Sequence, residues 1–466
     1  MEPALAGALY TAENLLTGAV AFAKGIAHPT LPLKATLTHI TSVPLPRQNH
    51  TVSVVKGRAY IFGGETAKGE LADNAMNIVI LPSSGVLEAD FTAAPARPRE
   101  HAGPVPAARK GHTAVVIGDS IYVFGGEGVD NEKGRVWVYS TVENSWSYLD
   151  PASGSSSFPS HRRGHAAVGA ELPGPKVVTY KEQAPQKPAD PAKVVPVPAE
   201  ENSWGTVFVV GGRKVGDSEA EGEGELLNDA WAFDVKSRTW SEIPSPSGQP
   251  REGASLALVG DNLYRFGGKG AEAMSSATMQ YLEVSSVWKH AEGGTTPMKS
   301  GWGWEESGHH TVEGHSSADA NGPQARSGAG LESVTTGQGR HYLLAVGGES
   351  ASSSPESLSS TFLDDIWAFQ LLPEHGSAAS IKDATRNIIK KDTHMGQWAE
   401  VKYQYADTRG EDEKLIPGTP ERGMGRRGRF AVSKGTEVDG ASVVAWGGVD
   451  REGRVLGDGW LITVDR

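Results

Sequence analysis

Short apolar runs that close on two glycines recur six times along the chain. Tyr60-Ile61-Phe62 precedes Gly63-Gly64 and Tyr122-Val123-Phe124 precedes Gly125-Gly126. Phe208-Val209-Val210 precedes Gly211-Gly212, and Tyr264-Arg265-Phe266 precedes Gly267-Gly268. Leu344-Ala345-Val346 leads to Gly347-Gly348, and Val444-Ala445-Trp446 to Gly447-Gly448. Aromatic and β-branched residues in a short run predict a buried strand, and paired glycines predict a turn whose backbone angles suit glycine. Six copies in series predict a repeat architecture. Each copy has the same order: an arginine-bearing turn, a first strand, a short turn, the Gly-Gly strand, a loop, then third and fourth strands that often carry tryptophan. Residues 109–126 with 135–149 are the fullest instance, with Trp137 in the third strand and Trp146 in the fourth.

The ends differ from the repeats. Leu5, Leu9, Ala12, Leu16, Val20 and Ala23 recur at helical spacing, so residues 4–26 are expected to be a helix that Pro29 ends. Residues 34–43 alternate as a strand. After Gly447-Gly448 only one further strand follows, so the sixth repeat lacks its outermost strand. Residues 34–43 are the expected replacement, which removes an open sheet edge.

The Gly-Gly pair followed by a spaced aromatic and tryptophan resembles the kelch repeat, over about 430 residues. The resemblance implies an all-β, six-bladed kelch β-propeller around a central channel, with N-terminal outer-strand closure of the last blade and a short N-terminal helix. The expected organisation is a helix and lead-in at 1–33 and one propeller at 34–466. Its closing strand is 34–43, with blades at 44–95, 106–150, 161–244, 250–292, 325–403 and 425–466. Repeats are longer than the ~50 residues of a bare kelch unit, so the excess lies in inserts. The Pro-rich stretch 171–204 and the stretch 371–396, with a helix-like SIKDATRNIIKK, are assigned to the bottom face. Inserts 213–229, 299–323 and 405–425 are assigned to the top.

Composition narrows the function. Of 466 residues 58 are glycine, above the usual ~7%, as a turn-rich chain requires. Net charge is −12, which disfavours nucleic acid. No cysteine is present, which excludes disulfides, thiolate metal sites and cysteine nucleophiles. It also excludes the Tyr-Cys cross-linked copper site of galactose oxidase-like kelch enzymes. Nitrile-specifier-like kelch proteins use a Glu-x3-Asp-x3-His iron site, and no such run occurs. No apolar run is long enough to span a membrane. The N-terminus has no basic region and carries Glu2 and Glu13, against a secretory signal. The expectation is a cytoplasmic protein without a cofactor.

The candidate binding residues are arginines at one point of every blade: Arg47, Arg109, Arg162, Arg251, Arg326 and Arg426. A ring of guanidinium forks at the channel mouth suits carboxylate or phosphate. The bland alternative is that they pair within the fold, with Glu65, Glu127 and Glu349 as partners. Kelch-type substrate adaptors of ubiquitin ligases read acidic peptides with channel-mouth arginines, one in a context like Arg326-Ser327-Gly328-Ala329. That resemblance implies a surface for a protein or acidic peptide. Trp302 and Trp304 on a Gly-flanked stretch either staple a loop or wall a pocket for a small molecule. That pocket, formed by 299–323 and 405–425, is the alternative reading, as enzyme or small-molecule binder; the catalytic residues are unknown. His50, His112 and His165 follow the first three arginines and read as packed or channel-lining rather than catalytic. His309, His310 and His315 with Glu305, Glu306 and Asp319 form a possible metal cluster, but the spacing matches no strong template and a Gly-rich polar loop is the simpler account, so no metal is expected. The run Asp217, Glu219, Glu221, Glu223, Glu225 reads as solvated or as an internal pseudo-ligand for the arginines.

Overall fold

The computed structural model describes residues 30–40, 45–81, 91–154, 157–174, 204–216, 224–275, 278–291, 302–307, 322–336, 339–351, 361–373, 376–406, 424–435 and 441–464. The expected helix at 4–26, most of the Pro-rich stretch and most of the acidic run lie outside these residues. Six sheets, antiparallel except for one pair in the last, follow one another as blades. Blade one is Thr51–Val55, Arg58–Phe62, Met76–Ile80 and Phe91–Ala94. Blade two is Thr113–Ile117, Ser120–Phe124, Val136–Ser140 and Ser145–Leu149. Blades three to five repeat the order, with first strands Ala166–Ala170, Ser255–Val259 and Gly330–Thr335. The chain is a six-bladed β-propeller.

Blade six holds three strands of its own region, Ala431–Lys434, Ser442–Val449 and Val455–Val464. Lys34–His39 pairs antiparallel with the last of these, Leu37 opposite Ile462. A fifth strand, Lys402–Tyr405, then pairs in parallel with Lys34–His39. This segment follows blade five's outer strand, Trp398–Glu400, directly in sequence. Both run the same way, and the free edge of Lys34–His39 gains partners by accepting it.

The core lies between the blades rather than inside any one of them. Trp146 of blade two packs on Phe62 of blade one at 4.9 Å, and Trp240 of blade three on Phe124 of blade two at 5.1 Å. Trp398 of blade five meets Phe266 of blade four at 5.1 Å. Each outer-strand tryptophan thus covers the residue just before the preceding blade's Gly-Gly, which explains why both residue types recur together. Tilted ring pairs of this kind contribute their buried area plus about 0.5–1.5 kcal/mol of ring geometry.

Two helices occur among the described residues, Ser285–Ala291 and Ala378–Ile388. The second sits in the 371–396 insert and is capped by Ser377. Its buried Asp383 takes Arg340 of blade five's first turn at 2.5 and 2.8 Å and Arg386 at 2.7 Å.

Candidate functional site

The face that carries the Gly-Gly pairs is built from two interlocked motifs. The first is a backbone relay of turns around the channel. Asn49, Gly111, Gly164, Gly253, Gly328 and Arg429 stand at equivalent turns, all with φ between 54° and 63°. Gly111 N–H donates to Asn49 O, Gly164 to Gly111, Gly253 to Gly164 and Gly328 to Gly253, at 2.7–2.9 Å. Asn49 N–H donates to Arg429 O at 2.9 Å. These bonds run from blade to blade around the channel.

The second motif uses the repeated arginines. Arg109 Nη1 donates to Gly125 O at 3.1 Å, and the fork grips Glu132 at 2.8 and 2.9 Å. Arg162 does the same with Gly211 O and Asp229, and Arg326 with Gly347 O and Asp365. Each carboxylate also accepts a tryptophan indole from the third strand: Trp137 on Glu132, Trp231 on Asp229, Trp367 on Asp365 and Trp460 on Asp458. Burial pushes the Asp229 carboxyl up, but its bonds from Arg162 and Trp231 outweigh that and hold it below the usual carboxylate range. Asp458 is held low in the same way by Arg427 and Trp460.

In blade six the arginine in register is Arg427, fully buried, bonded to Gly447 O at 3.0 Å and to Asp458 at 2.9 Å. Arg426, the sequence choice, is instead half-exposed and pairs with Asp364 at 3.3 Å. The sequence Arg-Arg-Gly-Arg admits either register, and the bridge of Gly428 to Val449 selects the second. Arg109, Arg162 and Arg326 are likewise fully buried, and Arg251 is 7% exposed. Arg47 is half-buried and donates to Pro46 O. The side chains of Arg109, Arg162, Arg251 and Arg326 therefore turn away from the mouth and into the sheets, while Arg426 stays half-exposed.

Their partners also differ from Glu65, Glu127 and Glu349. Those three face the solvent side and join the residues next to the buried arginines. Lys110 bridges Glu65 at 3.0 Å and Glu127 at 3.3 Å, and Arg163 reaches Glu127 at 3.1 Å. Partial burial pulls the Lys110 ammonium down, yet the two glutamates outweigh it and leave it raised. Arg429, 52% exposed, stands 3.8 Å from Glu349. The mouth therefore presents a belt of mixed charge. Lys110 and Arg163 directly follow buried Arg109 and Arg162, whereas Arg429 stands two residues after Arg427, so no single offset from the repeated arginine marks the surface cations.

The histidines are packed. His112 Nε2 bonds the Thr51 hydroxyl at 3.0 Å, and His165 Nε2 that of Thr113 at 2.7 Å. A Cβ on Gly63 would lie 2.7 Å from the His112 ring, and one on Gly125 2.8 Å from His165, so the first glycine of each pair is required by its neighbour. His50 is the exception: its target position holds Ala431, and both ring nitrogens lack a partner among the described residues. Burial depresses His50 and His165 to about 3.

Among the described residues Trp302 and Trp304 line no pocket at the mouth. They precede blade four's outer strand, Glu305–Ser307, and pack in the layer between blades three and four. Their indoles donate to Glu283 O at 2.7 Å and Pro244 O at 2.6 Å. Trp302 lies at the Glu283 end of its blade, opposite Gly267-Gly268, and lines a cavity of about 540 Å3 with Trp204, Lys236, Asp234 and Val287. Residues 308–321 and 407–423, and with them the three histidines of the 299–323 stretch, lie outside the described residues. Among the described residues no group of three His, Asp or Glu is placed to hold a metal, and no helix is long and apolar enough to cross a membrane.

Known proteins share these repeats. The family model described as "KLHDC2/KLHL20/DRC7 Kelch-repeats domain" matches residues 33–172, and that described as "Kelch motif" matches 205–247. The chain is 25% identical over 308 residues to "Kelch-like protein terF" of Aspergillus terreus, covering 58% of this chain and 62% of that protein. It is 32% identical over 108 residues to "N-(sulfonatooxy)prop-2-enimidothioate sulfolyase" of Thlaspi arvense, covering 23% of this chain and 28% of that one. Both matches span less than two thirds of the relative's own length. The solved structure of YjhT aligns over 94% of this chain and 99% of its own, with 16% identity and a TM-score of 0.49.

Proposed function

The chain is a kelch-repeat β-propeller, and from that premise we propose that it is a non-enzymatic protein-interaction scaffold holding an acidic peptide or protein at its Gly-Gly face. The observation that carries this reading is Arg429. It occupies a left-handed position, φ 55°, that four other blades fill with glycine, and it holds a half-exposed guanidinium beside the channel. A bulky side chain there costs about 1 kcal/mol relative to glycine, and such strain gathers at binding sites. With Arg426 and Arg163 it gives the mouth cations that, among the described residues, are held by partly exposed ion pairs. Such pairs contribute ~0–1 kcal/mol, so an incoming carboxylate displaces the resident one at little cost.

The test is a peptide array graded in Asp and Glu content, read at rising NaCl. Binding should increase with acidic content, weaken with salt and disappear in Arg429→Gly/Arg426→Ala. Removing the left-handed arginine relieves strain while loosening the unfolded chain by up to ~1 kcal/mol, so the melting temperature should stay nearly constant. Binding indifferent to acidic content, or retained in the double variant, rejects the reading. A second reading, a small-molecule binder, is supported by the cavity beside Trp204 and Trp302, on the face opposite the Gly-Gly pairs.

A further inference from the structure

Blade four breaks the arginine motif in a specific way. Where blade three has Val209 opposite Trp231, blade four has Arg265 opposite Gln280. Where blade three has Asp229, two residues before the tryptophan, blade four has Thr278. The carboxylate and the indole of the motif are both missing, and a second arginine has been added. Arg251 keeps its bond to Gly267 O at 3.1 Å and turns its other Nη to the Gln280 side-chain oxygen. Gln280 in turn donates to Ser247 at 2.9 Å.

Arg265 is fully buried, yet only its Nη1 is bonded, to Asn228 Oδ1 at 3.2 Å. Among the described residues its Nε and Nη2 have no partner, and neither does Arg251 Nε. Among the described residues neither guanidinium is held by a carboxylate. Glu306 acts on Arg251 electrostatically, while the charge that acts on Arg265 is Arg251 itself. Burial, reinforced by that like charge, depresses Arg265 to about 8. An uncompensated buried cation with unmade hydrogen bonds is destabilising, and a pair of them more so. Two guanidinium groups offering three free N–H-bearing nitrogens constitute the donor set of an oxyanion site. Asn228, half-buried, and Ser247, exposed, border the site on its solvent side.

We propose that Arg251 and Arg265, with Asn228 and Gln280, form an anion-binding site between blades three and four that takes a carboxylate or phosphate oxyanion. The oxyanion replaces the aspartate that the other blades carry within their own sheets. It has two sources: a free or partner-borne anion, or a carboxylate of the acidic stretch Asp217–Glu225, which follows Gly211-Gly212 in sequence.

Three proteins separate the outcomes: the wild-type chain, Arg265→Val/Gln280→Trp, and Asp217→Asn/Glu219→Gln/Glu221→Gln/Glu223→Gln/Glu225→Gln. The first variant reinstates the residue pair of blade three; Arg265→Met substitutes for it if the double change does not fold. Each full chain is melted against inorganic phosphate at constant ionic strength. A rise on the order of 2 °C in wild type, absent in the Arg265 variant, establishes a site for free anions. A wild type that does not respond, with a neutralised stretch that melts lower and is restored by phosphate only when Arg265 is present, identifies the chain's own carboxylates as the occupant. Responses that do not depend on Arg265, or no response in any of the three, overturn the proposal.

Discussion

Arg109 joins two blades through one residue: its guanidinium donates to Gly125 O of its own blade at 3.1 Å, and its carbonyl accepts the Gly64 N–H of the preceding blade at 2.8 Å. The same double engagement recurs at Arg162, Arg251 and Arg326. The repeated arginine therefore ties strand two of its blade to the Gly-Gly turn of its neighbour, and its burial is the consequence.

Breaking that tie should be costly, and the cost is local in sequence. Asp365→Ala leaves fully buried Arg326 without its counter-ion and should lower stability by about 3 kcal/mol. Asp364→Ala, one residue away, removes a pair in which both side chains are about half-exposed and should change stability by less than about 0.5 kcal/mol. Urea unfolding of the two variants compares them directly; equal losses would show that burial of Arg326 is not the cause.

Acid should unfold the propeller through its histidines. His50 and His165 are depressed to about 3 in the fold, against ~6.5 unfolded. The stability they support is complete above pH ~6.5 and falls by up to about 1.4 kcal/mol per histidine for each pH unit below it. His50→Leu should therefore cost less at pH 5 than at pH 7.5, as measured by chemical denaturation at the two pH values.

Ala431 leaves His50 without the hydroxyl that Thr51 and Thr113 supply to His112 and His165. Ala431→Thr should stabilise the chain by about 1 kcal/mol. A loss would mean that the blade six–blade one seam has no room for the added atoms.

Glu332 carries the opposite pH dependence. Part of the residue reaches solvent, yet burial of the carboxyl pushes it up to about 8, against a smaller pull from Lys434. A carboxyl raised on folding supports stability that is complete below its unfolded value of ~4.5 and lost as pH rises through 8, at most roughly 1.4 kcal/mol per pH unit. Glu332→Gln should flatten stability between pH 5 and 8; an unchanged slope would clear this residue.

Deleting residues 1–43 removes buried Leu31, Leu33, Ala35 and Leu37 and exposes the edge of Val455–Val464. At ~1.5–3 kcal/mol per buried leucine, the loss is on the order of 5 kcal/mol, seen as a large fall in melting temperature. A melt equal to wild type would mean the ring does not depend on this strand.

The blade pattern was readable because its signals are local. A strand ending in Gly-Gly states its own turn geometry, and six repetitions leave one architecture. The arginine partners were not readable. Glu132 stands five residues before Trp137 whereas Asp229 stands two before Trp231, so no single spacing marks the acid. Trp302 and Trp304 looked like loop residues because the outer strand after them is only three residues long and becomes a strand by pairing with Met279–Tyr281.

By itself, then, the chain's pattern of apolar runs and glycines determined a repeated β-architecture, since strand and turn preferences act over a few residues. Only the tertiary structure decided which arginines stand at the surface. Whether a guanidinium faces water or a buried carboxylate depends on the register between strands and on the neighbouring blade. Arg426, Arg427 and Arg429 lie within four residues of one another, yet Arg427 is fully buried on Asp458 while its two neighbours stand half-exposed at the mouth.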